Sequence, residues 1–112
     1  MKIAIPVTDG RLSSHFGHCE HFAIIDADPQ TQKLGDIQQL SPPAHVPGAL
    51  PKWLAEFGVN LVIAGGMGTR AQRLFVQNNI DVVVGAPDNP PMELARRYLT
   101  GRLQRGQNVC DH

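Results

Sequence analysis

The stretch from Asn60 to Gly85 constrains this fold more than any other part of the chain. It holds two unalternating, largely β-branched runs, Asn60-Leu61-Val62-Ile63-Ala64 and Asp81-Val82-Val83-Val84, each closed by glycine and separated by a helix-length segment to about Asn79. Strands apolar on both faces must be covered on both, and such strands joined through a helix run parallel with a right-handed crossover. Another helix is expected from about Pro91. The opening Lys2-Ile3-Ala4-Ile5-Pro6-Val7 reads as a further buried strand, leaving the sheet into the loop begun by Thr8-Asp9-Gly10. The expectation is an α/β fold, a three-layer α/β/α sandwich. The carboxyl ends of the first strand and the two late strands then share one rim, where open α/β sheets bind ligands.

Between these parts, a second strand is expected from Glu20 to Asp26 and a turn at Asp28-Pro29-Gln30-Thr31. The loosely alternating Lys33 to Leu40 suits an edge strand. Ser41 to Gly48 carries too many prolines for a helix or a ladder, and a helix should follow over Ala49 to Phe57. Leu50, Trp53, Leu54 and Phe57 lie on one face of that helix, Pro51 is tolerated in its first turn, and Gly58 is a stop signal. The 112 residues form one domain, 1–112, in which 102–112 lacks a strong apolar pattern and reads as a flexible C-terminal tail or a strand-like extension.

Ten basic and ten acidic residues cancel, so no long-range field attracts nucleic acid, and Arg96, Arg97, Arg102 and Arg105 read as a solvated helix face. No apolar run nears the roughly 20 residues of a membrane helix, and the start is unlike a secretory signal. A cytoplasmic location without membrane association is expected. The two cysteines, Cys19 and Cys110, are widely spaced, which suits free thiols or metal ligands better than a structural disulfide.

The segment His15-Phe16-Gly17-His18-Cys19-Glu20-His21 packs three of the five histidines and one of the two cysteines into seven residues. Imidazole with thiolate suits iron, zinc or copper, and thiolate favours copper(I) and metal-sulfur clusters. A plainer alternative has His15 and His18 bonding loop backbone and Cys19 buried as a small apolar residue. The chain closes on Asn108-Val109-Cys110-Asp111-His112, a second thiolate and imidazole where packing demands neither. Gly65-Gly66-Met67-Gly68-Thr69-Arg70 lies between strand and helix, where free amides and the helix dipole suit an anionic group. It lacks the Lys-Ser/Thr of a P-loop, and it also reads as a simple tight turn with Met67 as filler or a pocket wall. No catalytic arrangement emerges: only Asp9 and Asp88 are carboxylates near the expected rim, with Asp26, Asp28 and Asp36 at the opposite end.

Met1 to Val7, Ser13-x-His15-Phe16-Gly17, Ala64-Gly65-Gly66-Met67-Gly68-x-Arg70-Ala71, Gly85-Ala86 and Asn108-x-Cys110-Asp111-His112 together resemble the dinitrogenase iron-molybdenum cofactor biosynthesis family. The resemblance spans nearly the whole chain. It implies a ribonuclease-H-like fold with a five-stranded mixed sheet, its second strand antiparallel. The implied role is binding or shuttling an iron-molybdenum or related cluster, and some small stand-alone members are similar to orange proteins, which hold a molybdenum-copper-sulfur cluster. His15 matches the family's loop histidine, Gly65, Gly66 and Gly68 its glycine turn, and Cys110 and His112 the tail of a subset; Cys19 is an addition.

The resulting expectation is a non-enzymatic carrier of a metal-sulfur cluster, molybdenum with iron or copper, partnered by cofactor-assembly or acceptor proteins. Gly65, Gly66, Met67, Gly68, Arg70 and His15 would form the cradle, and His15, His18, Cys19, Cys110 and His112 are the candidate metal ligands. Two rival expectations are a zinc- or iron-binding, redox-sensing module and a nucleotide- or anion-binding domain.

Overall fold

The computed structural model describes residues 1–13, 19–42 and 49–103. His15, His18, Arg105, Cys110 and His112, and with them most of the expected metal ligands, lie outside the described residues. The described chain is a mixed α/β fold with a six-stranded sheet and three helices: β1 (Lys2–Thr8), β2 (Arg11–Leu12), β3 (His21–Asp28), β4 (Lys33–Leu40), α1 (Ala49–Glu56), β5 (Leu61–Ile63), α2 (Thr69–Gln77), β6 (Asp81–Val83) and α3 (Pro91–Leu99). The strand order is β4-β3-β1-β5-β6, with β2 paired to β1 alone.

Direction follows connection length. β5 and β6, separated by α2, pair in parallel, and β5 also runs parallel to β1. β3 is antiparallel to both β1 and β4, and the short turn at 29–32 requires this of its pairing with β4. Lys33–Leu40 does form an edge strand, mostly exposed, and its register against β3 shifts where Gly35 and Asp36 together oppose the single residue Asp26, a bulge on the edge strand. Asp28 caps the turn between them, accepting a hydrogen bond from the Gln30 N–H at 2.9 Å. That bond and one from the Thr31 side chain hold its carboxyl below the usual carboxylate range.

The sixth strand departs from the expected five. Asp9 and Gly10 both adopt positive φ, 55° and 76°, the geometry of a two-residue hairpin turn, and fold Arg11 and Leu12 back onto Thr8 and Val7. β1 pairs with β5 only at Ile3 and Ala4 and with β2 only from Val7 onward. Pro6 falls in the gap between these two pairings, so its missing amide donor interrupts neither ladder. The Ser13 N–H donates to the Pro6 carbonyl at 2.8 Å.

The sheet is covered on both faces, as its strand composition demands. Ile3, Ile5 and Val7 pack with Ile25, Ile63, Leu94 and Ala95, on the side of α3. Ala4 packs with Phe22, Leu54, Val62, Met67 and Phe75, on the side of α1 and α2. α1 follows its expected span but ends at Glu56. Its fully covered residues are Pro51 and Leu54; Trp53 is half-buried, touching Phe22 and Phe57 edge-on, and Phe57 is exposed. Gly58 ends it as expected, at φ +80°, a conformation costly for residues with a Cβ. No helix among the described residues is long and apolar enough to cross a membrane.

Candidate functional site

Three connections meet at the carboxyl rim of β1, β5 and β6. The Leu12 N–H donates to the Asn89 carbonyl at 3.0 Å, tying β2 to the connection between β6 and α3. Arg11 reinforces this tie, its guanidinium meeting the Asp88 carboxylate at 3.1 Å and the Asp88 carbonyl at 2.7 Å. Both side chains are largely exposed, so the ion pair orients the loops more than it stabilises them. Gly85 and Ala86 donate to the carbonyls of Gly65 and Ala64 at 3.1 and 3.2 Å, joining the last two connections. Asp9 is bound through its amide to the Glu20 carboxylate, drawing the start of β3 toward the same rim.

The glycine turn lies at the centre of this rim. Gly65 and Gly66 are buried and Gly68 is exposed. A Cβ on Gly65 would stand 3.6 Å from Leu12, 3.7 Å from the Ser13 carbonyl and 3.9 Å from the Ala86 carbonyl, all ordinary contacts. A Cβ on Gly68 would meet nothing within 4 Å, and its φ of −64° is open to any L residue. Neither steric crowding nor backbone conformation therefore demands glycine at 65 or 68. The main chain is exposed at Gly68, where α2 begins, and covered at Gly65 and Gly66.

Gly68 is the N-cap of α2 and offers no side-chain cap. The first-turn N–H groups of a helix have no intrahelical acceptor, so those of Thr69, Arg70 and Ala71 begin α2 as donors available to an anion. α2 has no acidic residue in its first turn to compete for them. Arg70 is exposed there, and among the described residues it belongs to no ion pair, whereas Arg96 and Arg97 both pair with Glu93. Arg96 and Arg97 thus behave as the expected solvated face. Met67 is only 1 % exposed, buried in the cluster of Phe22, Leu54 and Phe75, and acts as core filler; its carbonyl accepts a 2.9 Å hydrogen bond from the Gln72 side chain.

Cys19 is half-buried and packs against the α1/α2-side cluster. Burial pushes its thiol up, and hydrogen bonds with backbone at Cys19 and Val7 pull it partly back. Among the described residues no three His, Cys, Asp or Glu side chains come together as a metal site. Of the expected ligands, the described rim therefore presents Cys19 alone. Sequence reasoning missed Thr8, whose Oγ1 is buried at the carboxyl end of β1 without a hydrogen-bond partner among the described residues. Its position at the end of an apolar run was the available signal. At the opposite end of the sheet an open groove of about 720 Å³ is lined by Lys2, Asp26, Asp28, Thr31, Lys33 and Asn60, among others, so Asp26 and Asp28 are indeed remote from the rim.

A mixed sheet whose loops converge on a glycine turn at the start of a helix defines a mixed α/β domain. The chain belongs to the family described as dinitrogenase iron-molybdenum cofactor, whose model matches residues 1–101. It is 32 % identical over 108 residues to an uncharacterized protein of Methanocaldococcus jannaschii, MJ0580, covering 94 % of this chain and 91 % of that one. The crystal structure of the protein PH0822 is similar with a TM-score of 0.84 at 26 % identity, covering 94 % of both chains. The apo form of the orange protein from Desulfovibrio gigas shares the fold with a TM-score of 0.73 at 20 % identity, over 96 % of this chain and 93 % of that one.

Proposed function

We propose that this chain is a non-enzymatic carrier that binds an anionic metal-sulfur cluster, molybdenum with iron or copper, at the carboxyl rim and passes it between cofactor-assembly and acceptor proteins in the cytoplasm. One observation carries the reading: the exposed Gly68, which the fold itself does not need, leaves the main chain open at the amino end of α2, whose first turn carries no acidic residue. Amide donors there oppose the cluster's negative charge, and Arg70 adds a charge-assisted contact. Cys19, on the rim, suits a thiophilic metal, and His15 and His18, just before it in the sequence, supply imidazole. Cys110 and His112 complete the candidate ligand set. Family membership supports a cofactor-related role. The strand order with β3 antiparallel, and helices on both faces, support a single ribonuclease-H-like, three-layer domain.

The test is anaerobic isolation from the native host with metal and acid-labile sulfide analysis, followed by reconstitution of His15→Ala, His18→Ala and Cys19→Ala variants. Molybdenum with iron or copper and sulfide, and weaker loading in at least one variant, is the expected result. Zinc without sulfide would replace this reading with a simple metal-binding module. Unchanged stoichiometry and affinity in all three variants would remove these residues as ligands.

A further inference from the structure

Thr8 closes β1 at the rim, and its Oγ1 is buried with no hydrogen-bond partner among the described residues. Nothing in the apolar packing of β1 calls for a hydroxyl there. Valine has the same shape, favours strands equally, and would avoid removing a polar group from water without a replacement bond. A buried hydroxyl in this position is therefore explained by an acceptor that the described residues do not provide.

Strand parity indicates where that acceptor lies. Val7 belongs to the α3-side cluster, so Thr8 projects from the other face, the one that carries Ala4, Ala64 and Met67. Cys19 packs against that same cluster. The Glu20 N–H donates to the Val7 carbonyl at 3.0 Å, which brings the chain just after Cys19 alongside the end of β1. Ala64 leads directly into the glycine turn. The hydroxyl, the thiol and the turn thus share one end and one face of the sheet.

We propose that the Thr8 hydroxyl donates a hydrogen bond to the anionic group held at the rim, to a terminal sulfide or oxo atom, in a subsite on the α1/α2 face beside Cys19. The proposal rests on the carrier reading and adds to it a binding residue that is not a metal ligand. The bond involves no proton transfer: Oγ1 keeps its hydrogen and the acceptor keeps its charge. Its contribution appears only in the loaded protein.

The test compares wild type with Thr8→Val and Thr8→Ser, using the full chain. Urea unfolding without ligand is set beside anaerobic absorption titration with tetrathiomolybdate, alone and with copper(I). Thr8→Val is expected to unfold at the same or higher urea concentration than wild type and yet to bind about tenfold or more weakly, the loss typical of a hydrogen bond to a charged acceptor. Thr8→Ser, which keeps the donor, is expected to bind within about threefold of wild type. If wild type and Thr8→Val bind equally, the donor role is overturned while the carrier reading stands. If Thr8→Val unfolds at lower urea, the hydroxyl is satisfied inside the protein and the proposal also fails. If wild type takes up neither probe, the carrier reading falls, and the proposal with it.

Discussion

At the scale of single residues, the chemistry turns on how water is excluded from a few polar atoms. Cys19 is half-buried, and burial disfavours its thiolate. A thiol so placed is a poor nucleophile at neutral pH but a capable ligand once a metal displaces its proton. Its raised pKa means that the thiolate fraction at neutral pH lies below that of an ordinary cysteine and climbs only as pH rises past the usual thiol range. Iodoacetamide should therefore modify Cys19 more slowly than a free cysteine near neutral pH, and the two rates should converge in strong alkali. Peptide mapping that separates Cys19 from Cys110 measures this, and a neutral-pH rate equal to that of free cysteine would contradict the assigned environment. The sequence pointed to Cys19 through its histidine neighbours, whereas for Thr8 it offered only a place at the end of an apolar run. A buried and unpartnered atom is a property of the packed surroundings, which residue type does not encode.

At the scale of elements, the legible parts were those whose signal is local. The edge strand Lys33–Leu40 and the stop at Gly58 follow from alternation and from the conformational freedom of glycine. β2 was not legible, because two residues carry no periodicity and only the Asp9-Gly10 turn hints at a hairpin. The apolar face of α1 was misjudged at Phe57 for a different reason: the helix ends at Glu56, so helical spacing no longer governs the next residue. The glycine turn was legible as a turn, but its spare volume was not. That volume separates two roles for its glycines. Gly65→Ala and Gly68→Ala should each cost less than about 1 kcal/mol of stability, since alanine meets only ordinary contacts at 65 and open space at 68, and at the N-cap of α2 it gives up only a modest preference. If the main chain is open in order to receive an anion, the same substitutions should weaken binding of tetrathiomolybdate by more than they weaken the fold. Chemical denaturation paired with titration separates the effects. A stability loss of several kcal/mol with affinity intact would return the glycines to a purely structural role.

At the scale of the whole molecule, the two ends of the sheet offer different environments. The rim joins three connections through backbone hydrogen bonds around an open helix start, and the opposite end holds a groove with charges of both signs. That β1, β5 and β6 share one rim was legible because parallel order can be read from apolar runs, and parallel order dictates where helices begin. The groove was not legible, since Lys2, Asp26 and Asn60 meet only after β1, β3 and the approach to β5 assemble. Hydrogen exchange distinguishes the ends without any mutation. A ligand at 100 times its dissociation constant stabilises the bound form by about 2.7 kcal/mol, slowing by up to about 100-fold any amide whose opening must expel it. Amides that exchange only by global unfolding slow at both ends, so the informative ones open locally. With tetrathiomolybdate bound, the amides of Leu12, Ser13, Gln72, Gly85 and Ala86 should gain protection, while those of Ala27, Gln32 and Asn60 should exchange as before. Protection confined to the second group would transfer the binding site to the groove, and with it the role of every charged residue there.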